Sequence, residues 1–221
     1  MNSERREMVD GAAAISRGAL DAGCDFFAGY PITPASGILT HMLRELPKIG
    51  GVGIQGEDEI SSIGHCIGAA TAGATAFTAS SGPGLSLYSE NIGLAIMMEV
   101  PLVIVISQRL GPSTGAATAA AQGDIQFMRW CTSGGYPAIV LSPTNIPESY
   151  HLTKRAFKLS RRFRNPVFIA TDKETVMTTE SVAVTEMTNA PDWPEIPDEL
   201  IGCLLYTSPS PRDQRGSGMA A

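Results

Sequence analysis

Four short stretches carry residue types that can do chemistry. In "GYPITP", Pro31 and Pro34 each fix φ, and Pro34 also turns Thr33 away from helical backbone. Thr33 then stands with Tyr30 on a stiffened loop. Its hydroxyl either donates to an anion bound at a helix start or simply caps that helix. "GEDE" sets Glu57, Asp58 and Glu59 at another helix start, where the helix dipole favours negative charge. Helical spacing puts Glu59 on the side of Ile63 and Cys66, the apolar face. A carboxylate facing inward needs a hydrogen-bond donor, and a protonated or amidine-like ring nitrogen would serve. "SSGPG" contains Ser81, Gly82, Pro83 and Gly84 and suits the close approach of a ligand. It is neither G-x-G-x-x-G nor a Walker sequence, and no acid closes the next strand to hold a ribose. Arg109 ends the apolar run "PLVIVISQR". A guanidinium there either clamps a carboxylate bidentately or makes a strand-end salt bridge. His41, His65 and His151 fall on separate helices, and their spacing assembles neither a Ser/His/Asp set nor a metal set.

These stretches need elements to position them. Asp10 caps a helix over "GAAAISRGALDA" that Gly23 ends, and "DFFA" is a short buried strand. Pro34 and the residues after it open a helix that runs through Leu46 and is stopped by Pro47. "GVGIQ" is the next strand and "EDEISSIGHCIGAATAG" the next helix. Strand "TAFTAS", a tight "SGPG" loop and helix "LSLYSENIGLAIMME" follow, then the β-branched strand "PLVIVIS". A long small-residue loop leads to a short helix at "IQFMRW". Strand "AIVLS", helix "NIPESYHLTKRAFKLSRRF" and strand "PVFIAT" complete the alternation. Alternating strands and helices predict one doubly wound α/β domain, a mostly parallel sheet with helices on both faces. In such a sheet ligands sit at the carboxyl ends of the strands, and all four stretches follow strands.

Charged residues make up 17% of the 221-residue chain, against roughly 25% in an average soluble domain. Few charges and 23 glycines favour a subunit with surface buried elsewhere. The net charge of −6 and the absence of a basic face argue against nucleic acid. No apolar stretch reaches the roughly 20 residues that span a membrane, and the start "MNSERREMVDG" has no secretory h-region. A cytoplasmic protein is therefore expected. Cys24, Cys66, Cys131 and Cys203 form no C-x-x-C, so neither a zinc ribbon nor an iron–sulfur cluster is expected in this chain.

Three segments are expected: the α/β domain over 1–177, a Pro- and acid-rich linker over 178–202 leading to a further domain, and an extraneous tail over 203–221. The tail contains "CLLYTSPSPRD", which resembles a translated transposase-type sequencing adapter.

Taken together, "AGYPITP", "EDEISSIG", "FTASSGPGLSLYSENIGLA", "VPLVIVISQRLGPSTG", "AQGDIQF", "GYPAIVLSP" and "TDKETV" resemble the α subunit of 2-oxoacid:ferredoxin oxidoreductases. The resemblance runs from about Met8 to Thr179, and its first half is similar to the pyrimidine-binding domain of thiamine diphosphate enzymes. It implies oxidative decarboxylation of a 2-oxoacid, 2-oxoglutarate favoured, to an acyl-coenzyme A. Glu59 matches the glutamate that hydrogen-bonds the aminopyrimidine of thiamine diphosphate, with Glu57 the fallback. Ser81, Gly82, Pro83 and Gly84 would line the cofactor, and Tyr30, Thr33 and Arg109 would hold the 2-oxoacid. The resemblance further implies a β subunit that supplies the diphosphate site with Mg2+, the iron–sulfur cluster and the contact with ferredoxin. A second copy of the α–β unit is also implied, and no metal site in this chain. Ser107 departs from the family pattern. A non-redox thiamine enzyme half and a free-standing anion- or nucleotide-binding module are the alternatives.

Overall fold

The computed structural model describes residues 5–189, with Pro191 and Trp193 beyond them. The strands are β1 (Arg6–Asp10), β2 (Phe26–Gly29), β3 (Val52–Gln55), β4 (Ala76–Ser80), β5 (Leu102–Gln108), β6 (Ile139–Leu141), β7 (Val167–Asp172) and β8 (Thr179–Ala183). The helices are α1 (Gly11–Asp21), α2 (Ser36–Glu45), α3 (Glu59–Thr71), α4 (Gly82–Met97), α5 (Gly123–Arg129), α6 (Ile146–Phe163), α7 (Lys173–Met177) and α8 (Val184–Thr188).

Six strands form one sheet in the order β3-β2-β4-β5-β7-β6. Every neighbouring pair in it is parallel. The central strands are apolar on both faces, as a sheet covered on both sides requires. Val103 and Val105 of β5 point into one core with Ile15 of α1, Ile38 and Met42 of α2, and Phe157 of α6. Leu102, Ile104 and Ile106 point the other way, onto Ile63 and Cys66 of α3 and Tyr88 and Ile92 of α4. The period-2 alternation of β5 thus sorts two helical layers. The expected doubly wound α/β architecture is the one observed.

Several local expectations are met by identifiable contacts. Asp10 caps α1, its Oδ1 accepting from the Ala13 N–H at 2.7 Å. Gly23 takes φ 83° just beyond that helix, a conformation that costs glycine little. Three expectations need correction. "SGPG" is not a loop: Gly82 to Gly84 are the first turn of α4, and Pro83 fits there because the first-turn N–H groups have no intrahelical acceptor. Pro47 does not stop the chain's helical path, which tightens into a 3₁₀ turn over Leu46–Ile49 and ends at Gly50. The stretch read as linker begins as docked structure. Strand β8 pairs antiparallel with β1, with Arg6 opposite Ala183. Val182 and Met187 are buried with Val9, Ile146 and Tyr150. The rest of the expected linker, apart from Pro191 and Trp193, and the tail over 203–221 lie outside the described residues.

Among the described residues no helix is long and apolar enough to cross a membrane.

Candidate functional site

Because β2, β3, β4 and β5 are parallel, their carboxyl ends open on one edge. The loops after them bring the residues singled out above together around the first turn of α4. That turn is the organising feature. Ser81 precedes it with extended backbone but makes no side-chain cap bond. Pro83 has no N–H and the Gly84 N–H donates to the Ser81 carbonyl at 2.8 Å, so the Gly82 N–H is the one that needs an acceptor from elsewhere.

Glu59 is the first residue of α3 and only 6% exposed. It packs on Gly84: a Cβ there would stand 2.8 Å from Glu59 Oε1 and against Ser80 Oγ. Only glycine brings the α4 backbone this close to the carboxylate. The neighbouring acids play other parts. Asp58 is the α3 N-cap, accepting from the Ser61 N–H at 2.7 Å, and that bond, with the Ser61 hydroxyl, holds its carboxyl below the usual range. Glu57 is exposed. Of the three acids, Glu59 is the one facing inward. Ile63 and Cys66 lie with it on the buried face of α3, as the spacing predicted.

Arg109 is 3% exposed and packs on the other side of the turn, its Cγ 3.1 Å from where a Gly82 Cβ would be. Gly82 has φ +35°, a region that disfavours other residues. Arg109 Nη1 donates to the Thr33 carbonyl at 2.7 Å, and Nη2 to Thr114 Oγ1 at 3.3 Å. Arg109 and the "GYPITP" loop are thus one unit. Thr33 does not cap α2, whose N-cap position is Ala35. Tyr30 is exposed on the same loop.

Two functional candidates were not assigned from sequence. Thr114 lies in the long small-residue loop and holds the guanidinium. Asp124 opens α5, and its Oδ2 accepts from the Arg109 N–H at 3.3 Å. Burial raises the Asp124 carboxyl, and the Arg109 and Gly82 N–H groups with the Arg109 charge pull it part of the way back. "AQGDIQF" was the available signal, but one Asp in a loop names no partner.

Buried polar atoms collect at this edge. Ser81 Oγ, Ser107 Oγ, Gln108 Oε1, Arg109 Nε and Thr171 Oγ1 bond to nothing among the described residues. Such groups are rarely left unpaired. An inward carboxylate, a guanidinium with a spare N–H and a helix turn bare of side chains suit a ring nitrogen on one side and an anion on the other. The histidines do not join them: His151 Nε2 meets the Glu186 carbonyl at 2.7 Å, and His41 lies 3.9 Å from Asp10. Among the described residues no group of three or more His, Cys, Asp or Glu side chains could hold a metal ion.

Residues 17–197 match the family model described as pyruvate flavodoxin/ferredoxin oxidoreductase, thiamine diphosphate-binding. The chain is 51% identical over 178 residues to the 2-oxoglutarate synthase subunit KorA of Archaeoglobus fulgidus, covering 80% of this chain and 51% of the relative. With KorA of Methanocaldococcus jannaschii the identity is 52% over 167 residues, 76% of this chain and 46% of the relative. A ketoisovalerate oxidoreductase subunit VorB of Methanothermobacter thermautotrophicus is 44% identical over 75% of this chain and 47% of its own length. The chain therefore spans about half the length of these curated relatives. A solved 2-oxoglutarate:ferredoxin oxidoreductase from Magnetococcus marinus, with 2-oxoglutarate, coenzyme A and succinyl-CoA bound, superposes with a TM-score of 0.80. It is 36% identical, over 83% of this chain and 32% of that one. The inward Glu59, the bare first turn of α4 and the Arg109 clasp thus sit in a chain that belongs to the pyruvate flavodoxin/ferredoxin oxidoreductase family, within its thiamine diphosphate-binding domain.

Proposed function

We propose that this chain is the pyrimidine-binding part of the α subunit of a 2-oxoacid:ferredoxin oxidoreductase, converting 2-oxoglutarate or a similar acid to its acyl-coenzyme A. The observation that carries the reading is the buried Glu59 carboxylate packed on Gly84, with Arg109 packed on Gly82 of the same turn. The names of the KorA relatives and of the Magnetococcus structure support 2-oxoglutarate over other 2-oxoacids.

Thiamine diphosphate, when bound, supplies the stabilisation of negative charge that loss of carbon dioxide from a 2-oxoacid requires. The residues of this chain fit it. Glu59 would accept a hydrogen bond from a pyrimidine ring nitrogen and hold a proton there. Its burial strengthens that bond, because little water competes for the carboxylate. Gly82 and Gly84 let the ring approach backbone, with Ser81 and Pro83 shaping the same wall. Arg109 would take the substrate carboxylate on its Nε side, while Nη1 and Nη2 stay engaged with Thr33 and Thr114. The Thr33 hydroxyl and Tyr30 would line the approach. The stiff "GYPITP" loop thus presents a hydroxyl and also anchors the arginine through its carbonyl.

The remaining parts belong to partners under this reading. A β subunit would hold the diphosphate with Mg2+ and carry the iron–sulfur cluster that passes electrons to ferredoxin, and a second α–β unit would complete the assembly in the cytoplasm. Ile60 on α3 and Leu87, Leu94 and Met97 on α4 are exposed, an apolar face that a subunit covers more readily than water does.

Glu59→Gln tests the carrying observation in the full-length subunit assembled with its β partner. Gln keeps the shape but cannot hold the proton. Turnover with 2-oxoglutarate is expected to fall at least about 100-fold, within the range for general acid–base groups, with assembly intact. Near-normal turnover would remove Glu59 from the chemistry.

A further inference from the structure

Resting on the functional reading above, we propose that Asp124 is a positioning residue that fixes the spacing between the Glu59 carboxylate and the Arg109 guanidinium. Helix α4 begins without a side-chain cap of its own, since Ser81 makes none. Asp124, from the start of α5, supplies the acceptor instead. Its Oδ2 accepts from the Arg109 N–H at 3.3 Å, and the carboxylate also lies close enough to the Gly82 N–H for that group to stabilise its charge. These donors stand on the two sides of the site. Gly82 opens the turn whose Gly84 is in contact with Glu59. Arg109 ends the strand-side wall and reaches Thr33. One carboxylate therefore ties the wall that carries the guanidinium to the turn that backs the glutamate.

The alternative arrangement shows what the tether does. Without it, Gly82 would hold α4 against Arg109 by van der Waals contact alone. Glycine backbone at φ +35° has several other conformations open to it. The first turn would then fray, and the two reacting ends of a bound 2-oxoacid and ring would lose their fixed relation. Asp124 also closes the base of the small-residue loop after Arg109. Leu110 donates to the Ala119 carbonyl at 2.8 Å within that loop, and Thr114 holds the guanidinium from its far side. Under this proposal Asp124 acts through Arg109 and the α4 turn.

The test is Asp124→Asn in the full-length subunit assembled with its partner, which keeps the side chain's shape but replaces one acceptor oxygen with a donor. The Michaelis constant for 2-oxoglutarate is expected to rise between about tenfold and a hundredfold, the scale of a small misplacement in a positioned site. That for coenzyme A should stay within about twofold. Hydrogen exchange at the Gly82 and Arg109 amides is expected to speed up by about tenfold, the factor carried by one lost hydrogen bond. An unchanged constant for the 2-oxoacid, an equal rise for both substrates, or unchanged exchange at both amides overturns the proposal. If the unsubstituted assembly turns over no 2-oxoacid, the functional reading fails instead. The tether then stands or falls on the exchange of those two amides, for which Asp124→Ala gives a second comparison.

Discussion

Arg109 sits where three backbone segments meet, and its Nη1 and Nη2 each donate to protein. The buried, unpaired Nε is left for an anion that can share the site with Gly82. Under the proposed function, Arg109→Ala should raise the Michaelis constant for the 2-oxoacid by about 100-fold, the cost of a charge-assisted hydrogen bond with its anchoring lost. Coenzyme A should be unaffected, and steady-state kinetics on the assembled enzyme with each substrate varied in turn separate the two. An equal change in both would place Arg109 outside the substrate site. Cys66 makes a different residue-scale prediction. Its thiol is fully buried, donating to the Phe77 carbonyl at 3.3 Å, and burial pushes its pKa up to about 12 from an ordinary 9.0. The neutral thiol is favoured in the fold, so its contribution is complete below pH 9 and lost between pH 9 and about 12 as the unfolded chain ionises first. Urea unfolding at pH 8 and pH 10 should show stability falling above pH 9, with about 1 kcal/mol per pH unit of the slope from Cys66 and further parts from Cys24 and Cys131, whose thiols burial also raises. Cys66→Ala should reduce that slope by about 1 kcal/mol per pH unit, and an unchanged slope would assign it wholly to the other groups.

At the scale of elements, the central sheet was legible because β4, β5 and β7 are continuous apolar runs bounded by turn residues. Their order was not, since periodicity reports burial and not neighbours. The site followed from the same logic: in a parallel sheet each strand end announces a loop, so Thr33, Glu59, Ser81 and Arg109 could be gathered before their contacts were known. Asp124 escaped because its role is a tertiary cap, and nothing in its own segment says which helix lacks one. The β1–β8 ribbon escaped for another reason. Of β1 only Val9 is buried, and β8 buries only Val182 and Ala183, so neither shows an alternating pattern long enough to read. The ribbon nonetheless rests on a small core of its own. Met187→Ala should cost about 2 kcal/mol, the low end for a buried methionine, because its site is partly open to solvent. Thermal unfolding of the domain followed by circular dichroism would register this. No loss would mean that β8 and α8 rest on the domain without stabilising it.

Across the whole molecule, two features shape how it meets other chains. Its charge is sparse, and Ile60 of α3 with Leu87, Leu94 and Met97 of α4 are exposed, which agrees with a domain that works inside an assembly. The second feature is the ribbon's geometry. Arg6 lies opposite Ala183, and the Val184 N–H donates to the Arg5 carbonyl at 2.9 Å. The first and last strands of this body therefore lie side by side, with α8 following the second. A unit with adjacent entry and exit behaves like a bead that can be threaded into a longer chain or re-cut elsewhere without changing its interior. Circular permutation follows directly: the joined ends, with new ones opened at the exposed Gly134–Gly135 turn, should give the same circular dichroism spectrum and a melting temperature lower by only a few degrees. Failure of that permutant to fold would mean that the order of synthesis, and not only the final contacts, is written into the domain. Success would make it a transplantable half-site, one that different polypeptide architectures can carry in front of, behind or between other modules.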